Sequence, residues 1–261
     1  FWKIDKPNTR VVWAVGRYGN MTLLNKKGEK IPKLFQKAHG IEKIGHNRFL
    51  IFDNVFKDPN QGASATPGSR WLEMRVDPEK KVAQETDYWV APPPRYAHQM
   101  GDADRMPNGN TLMSITSTDL LTEATPDGQI AWEMTLPAPP HGKGGKWWIY
   151  HAERFMLTPL IKLDPASMTP VVDKSGGKLD LHLWNTVRVR YRAKGTLQVW
   201  RNSEILATKA FTFEINWMTT KLSIDFSAPS DLQCGTNLLF VKCTNADDIT
   251  GELQGEASHK C

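Results

Sequence analysis

An acid, a base and an apolar residue recur together at the head of successive apolar stretches, and this repeat narrows what the chain can fold into. The three instances are Glu42-Lys43-Ile44, Asp104-Arg105-Met106 and Glu153-Arg154-Phe155. Around the first, Lys37 to Asn54 reads as a polar entry, a short strand, a turn and a second strand, because Val, Ile, Phe and Leu favour a pleated surface and Gly and Asn punctuate it. A variant returns from Met100 to Ser114, and part of one from Tyr150 to Leu157. In this register His39 aligns with Gly101 and Tyr150, and His151 with Asp102 and Gly40.

Each copy continues in the same order. After the first come a strand from Ser69 to Pro78 and another from Val82 to Val90. After the second, whose strands begin near Ala103 and Thr111, come Leu120 to Ala124 and Gln129 to Glu133. Asn108-Gly109 is a hairpin-turn signal, since both residues tolerate positive φ. A polar loop is expected over Lys57 to Gly68. Trp13, Trp89 and Trp132 each fall in a closing strand, where core filling between units is expected. A four-strand unit recurring at roughly 60 residues is the signature of a β-propeller blade.

Only about two and a half blades fit before residue 160, whereas propellers close with ~4–8. Phe1 to Asp5 already reads as a strand. The sequence therefore predicts that further blades come from an N-terminal segment or a partner chain, pairing against residues 1–16. From Leu179 the pattern changes to short alternating strands at Leu181–Val189, Thr196–Arg201, Ile205–Phe213, Lys221–Phe226 and Leu238–Cys243, spaced as in a β-sandwich. The fold expected is all-β, an incomplete propeller (1–163), a linker (164–178) and a sandwich (179–261), with a polar tail from Asn245 to Lys260.

Charge and cysteine content set limits on partners. The net charge is +5, with 33 bases spread among 28 acids and no basic run of the nucleic-acid type. No apolar run reaches the roughly 18 residues of a membrane span. Three cysteines, Cys234, Cys243 and Cys261, form no CxxC pair, so no structural zinc site is expected. Cys234 and Cys243, nearest in sequence, are the expected disulfide, with three reduced cysteines as the alternative. Asn20-Met21-Thr22 is a glycosylation sequon if the protein is secreted.

His39, Phe49 to Asn54, Ser69 to Pro78 and Gly101 to Leu112 together resemble the arylsulfate sulfotransferases, six-bladed propeller enzymes that do not use the nucleotide sulfate donor. The resemblance covers about residues 1–160 and implies that they are the C-terminal part of a six-bladed propeller. It implies ping-pong transfer of a sulfuryl group from a phenolic sulfate to a phenol acceptor through an N-sulfated channel histidine, and His39 matches that nucleophile. Gly101, Tyr150 and His151 are then expected to line the substrate opening, with no metal and no cofactor. The location expected is secreted or extracellular, or periplasmic in a bacterium. The family's other channel histidines, arginine and asparagine belong to earlier blades, and its Thr after this blade is replaced near Met100 or Gly101, so this stretch alone is expected to be inactive. The alternative is a non-catalytic secreted propeller–sandwich protein that binds a partner or glycan, or builds an extracellular assembly. A generic all-β lectin is the third reading. His46, His98 and His141 fall in turns or loops, and His151 is read either as a channel residue or as a packing residue. Ser69 and Arg70 are expected to hold a blade together.

Overall fold

A computed structural model describes residues 1–57, 68–92, 95–116, 118–137, 147–167 and 171–259. The loop expected at Lys57–Gly68, along with His141 and Cys261, lies largely or wholly outside the described residues. The described residues are all-β, in several sheets none of which closes on itself, and contain no α-helix. The chain divides into two compact units, Phe1–Glu153 and Arg154–Cys261.

In the first unit, β1 (Trp2–Asp5) and β2 (Arg10–Ala14) form a hairpin. Next, β3 (Thr22–Leu24) runs parallel to β7 (Val82–Val90), the last strand of an antiparallel meander whose others are β4 (Ala38–Gly45), β5 (Arg48–Phe56) and β6 (Gly68–Asp77). A second meander follows: β8 (Asp102–Arg105), β9 (Thr111–Ile115), β10 (Leu120–Ala124) and β11 (Ile130–Thr135). The repeated order of the sequence is thus a repeated four-strand ladder.

The reason β5 is apolar on both faces is visible in its period of two. Ile51 joins a core with Trp13, Leu72 and Met74, while Leu50 and Phe52 join another with Trp71, Met113 and Ile115. Its turn from β4 is made at Asn47, with φ +53. The β8–β9 and β10–β11 turns share one geometry. Gly109 N donates to Met106 O at 2.9 Å and Gly128 N to Thr125 O at 2.9 Å, with φ +93 and +86 at the glycines. Only the glycine of Asn108-Gly109 takes the positive φ, so this is a turn closed by a left-handed residue and not a two-residue hairpin turn.

Two of the three tryptophans pack as expected. Trp13 is buried, and Trp89 packs against the second core while its Nε1 donates to Gly128 O at 2.9 Å, tying the two meanders together. Trp132 departs from the expectation. It is 40% exposed, because β11 is the outermost strand and has β10 alone as its ladder neighbour.

The second unit begins earlier than the sequence predicts. β12 (Leu160–Leu163) and β13 (Val172–Asp173) both pair with β14 (Gly176–Trp184), so the stretch expected to be a linker, 164–178, carries strand structure integral to this unit. On the other edge of β14 lies β17 (Thr220–Phe226). The remaining strands form a second sheet in the order β16 (Glu204–Thr212), β15 (Lys194–Arg201), β18 (Gly235–Asn245), β19 (Thr250–His259). Leu179, Leu181, Ile224 and Phe226 from one sheet share a core with Leu197, Val199, Leu239 and Val241 from the other. The region expected as a polar tail is β19, which pairs with β18 along its whole length.

The expected Cys234–Cys243 disulfide does not form. Cys243 is a free thiol buried in the core of this unit, and Cys234 is not a free thiol. Cys234 immediately precedes β18 and Cys243 is the ninth residue of that strand, nine residues further along the chain. At about 3.3 Å per residue that is roughly 30 Å, far beyond the ~7 Å limit for bridged Cα atoms.

Candidate functional site

The site is built where β4 meets β8. The chain turns into β4 at Lys37, with φ +57, and two residues later bulges. His39 pairs with Phe52 and Glu42 with Leu50, so Gly40 and Ile41 together oppose the single residue Ile51. Gly40 has φ +54, the left-handed conformation that a bulge of this kind needs and that glycine adopts without steric cost. The bulge bends the strand immediately after His39.

His39 is partly buried, and its ring is held from one side. Nδ1 lies 2.6 Å from Asn54 Oδ1 and 3.2 Å from Lys37 O. The tautomer follows from Asn54. Its amide nitrogen donates to Ala97 O at 2.8 Å and to Met100 O at 2.7 Å, positions that only an N–H group can occupy. The oxygen must therefore face His39 and accept. Nδ1 carries the hydrogen, and the neutral ring presents a lone pair at Nε2. Asn54 is fully buried, so this orientation is held by the interior. Ser69 supports the same loop, with its Oγ accepting from Ala97 N at 2.9 Å and lying 3.0 Å from Asn54 O.

The neighbouring Asp53 anchors the strand from the opposite face. Arg70 donates from Nε to Asp53 Oδ2 at 3.1 Å, from one terminal nitrogen to Glu85 Oε2 at 2.9 Å and from the other to Leu34 O, and its plane lies 4.0 Å from the centre of the Phe56 ring. Each of its three nitrogens is engaged with β5, β7 or the segment before β4, so Arg70 positions the strands. This network lines the inner wall of a cleft of about 800 Å³, rimmed by Lys26, Lys27 and Lys33.

Of the other residues expected at the site, Gly101 sits just before β8 with φ +93, and a Cβ there would overlap the ring of Phe52, the ladder partner of His39. Tyr150 is 61% exposed. His151 has both ring nitrogens taken by carboxylates: Nδ1 by Asp102 Oδ2, and Nε2 by Glu153 Oε1 at 2.9 Å. Burial alone would lower its pKa, but Glu153 and Asp102, with Asp104 behind them, outweigh burial and raise it. Held this way, His151 offers no free donor to an anionic substrate.

The three aligned copies meet in register. Gly40, Asp102 and His151 share one repeat position, Gly40 backs onto the Asp102 carboxylate, and that carboxylate holds His151. A second cross-connection runs beside it, with Arg105 N donating to Glu42 Oε2 at 3.1 Å and Arg105 also reaching Glu73. Asn54, Asp102 and Asp104 are the site residues that reading the sequence passed over. The signal for the two aspartates was present: two acids separated by one residue on a strand must share a face. The turn residues behave as expected, with His46 and His98 exposed and His98 edge-on to Trp148 at 5.8 Å.

No protein-family model matches the chain, and no curated protein matches its sequence.

Proposed function

We propose that the chain belongs to an arylsulfotransferase-like protein, with the two meanders as blades of a six-bladed propeller, a sandwich after them, and His39 as the nucleophile. The observation that carries this reading is the fixed tautomer: Asn54 takes the Nδ1 hydrogen and leaves the Nε2 lone pair presented. In the first half-reaction Nε2 bonds to the sulfur of a phenolic sulfate and the sulfur–oxygen bond breaks. The phenolate leaves with the electron pair and takes up a proton. In the second, the oxygen of the acceptor phenol bonds to sulfur as it gives up its proton, and the nitrogen–sulfur bond breaks to restore the imidazole. Asn54 Oδ1, accepting from Nδ1, stabilises the positive charge that the ring gains while it is sulfated. Gly101 and Tyr150, at the same repeat position as His39, belong to the substrate opening in this reading, and secretion or export to a periplasm goes with it.

The test is intact mass spectrometry of the full-length protein after incubation with 4-nitrophenyl sulfate. Gain of one SO₃ group on His39, lost in His39→Asn, supports the reading. Absence of the adduct together with unchanged turnover in His39→Asn removes it.

The alternative, a non-catalytic secreted protein for partner or glycan binding or extracellular assembly, has one observation on its side. Ile130, Trp132 and Met134 alternate along one face of β11 and are all exposed, as are Trp2, Ile4 and Val11 on the β1–β2 hairpin. Exposed apolar rows of this kind mark interaction surfaces.

A further inference from the structure

The geometry points to a divalent transition-metal site formed by Asp102, Asp104 and His151. One ligand atom from each, two carboxylate oxygens and an imidazole nitrogen, lie within 4.8 Å of one another. Asp102 and Asp104 are both buried and share a face of β8, and the β8–β9 ladder holds their backbone. Ligands of these types sit about 2.0–2.2 Å from a bound ion.

An independent observation points to a ligand at the same place. Ser114 is buried, and its hydroxyl has no hydrogen-bond partner. It is the ladder partner of Asp102, so its side chain stands on the same face, beside that carboxylate. A buried hydroxyl without a partner is costly. A water carried by the ion, or the repositioned Asp102 carboxylate, gives this one its partner.

The donor set selects the ion. Two carboxylates and one imidazole suit zinc or manganese, whereas calcium and magnesium favour oxygen alone. Three protein ligands leave a coordination position open, and His151, about a third exposed, puts that position next to solvent. Glu153, 2.9 Å from Nε2, is the carboxylate behind a ligand histidine that directs Nδ1 at the ion. The ion replaces the hydrogen now shared between Nδ1 and Asp102. None of this depends on His39 or on sulfuryl transfer.

The experiment is calorimetric titration of the chelator-treated full chain with ZnCl₂, MnCl₂ and CaCl₂ in parallel. Expected are one equivalent of zinc or manganese, a rise in the thermal midpoint, and weakening by about tenfold or more in His151→Ala, the scale on which a lost ligand or its support acts. His151 is partly exposed, so that variant keeps the fold; Asp102→Asn is the companion, and His46→Ala, in an exposed turn, is the control that binds as the parent does. No saturable binding, a preference for CaCl₂ over both other ions, or binding unchanged in His151→Ala overturns the site.

Discussion

Gly40 and Asp102 occupy the same position in successive copies of the repeat, and they touch: a Cβ on Gly40 would lie 1.7 Å from Asp102 Oδ1. The absence of a side chain on β4 is what makes room for the carboxylate on β8. With φ +54 as well, Gly40→Ala meets both a clash and backbone strain. The expected cost is about 1–3 kcal/mol, the range for overpacking a filled site. Chemical denaturation followed by Trp fluorescence reads it, and a loss below about 0.5 kcal/mol, the scale of an ordinary surface substitution, contradicts the contact.

Asn54→Ala removes two donors from buried carbonyls and frees the His39 ring. Leaving Met100 O unsatisfied costs about 1–3 kcal/mol, while Ala97 O keeps the Ser69 hydroxyl 3.3 Å away. Asn54→Asp is expected to be worse, since it turns a carboxylate oxygen toward those carbonyls. Equilibrium unfolding of the three proteins gives the order, and an aspartate variant as stable as the parent counts against the assigned amide orientation.

Arg70→Met leaves Asp53 and Glu85 as buried carboxylates without their cation. Breaking a buried ion pair from one side typically costs about 3–5 kcal/mol. The loss is expected to be read in the transition of the first unit, and a shift of less than about 1 kcal/mol shows that water reaches the network.

Cys243 is expected to be inert in the folded protein. Burial pushes its thiol from 9.0 up to about 12. Disulfide-exchange reagents should label it only after unfolding, with peptide mapping locating the label. The sign for stability follows from the same shift. The unfolded thiol ionises near 9.0 and the folded one near 12, so this group's contribution is intact below pH 9 and is lost as pH rises from there to about 12. The slope is about 1.4 kcal/mol per pH unit across that window. Replacing the thiol with a non-ionising group, as in Cys243→Ala, is expected to remove this part of the alkaline loss; an identical alkaline profile in the variant contradicts it.

Much of this architecture is legible in the chain itself. Phe49-Leu50-Ile51-Phe52 is apolar at every position because β5 has a core on each face, and the glycines at 109 and 128 close their turns because a left-handed residue is required there. The repeat register carried further: Gly40, Asp102 and His151, aligned by sequence, stand together in space. The candidate site was legible in His39 and not in what controls it. Asn54 is fifteen residues away in sequence, and its role depends on which carbonyls its amide meets.

What the sequence determined by itself was local: strand positions, turns and the order of the ladders, all of which follow from residue-by-residue backbone preference and a period of two. What the tertiary structure alone decided was partnership between distant segments. It set Cys243 facing a core instead of Cys234, brought Val172–Asp173 and Gly176–Lys178 into a sheet, left Trp132 on an outermost strand, and placed two aspartates and a histidine around one point. The physical reason is that a pattern of alternation specifies which face a side chain takes, while what it meets there is set by the packing of elements that are remote in the chain.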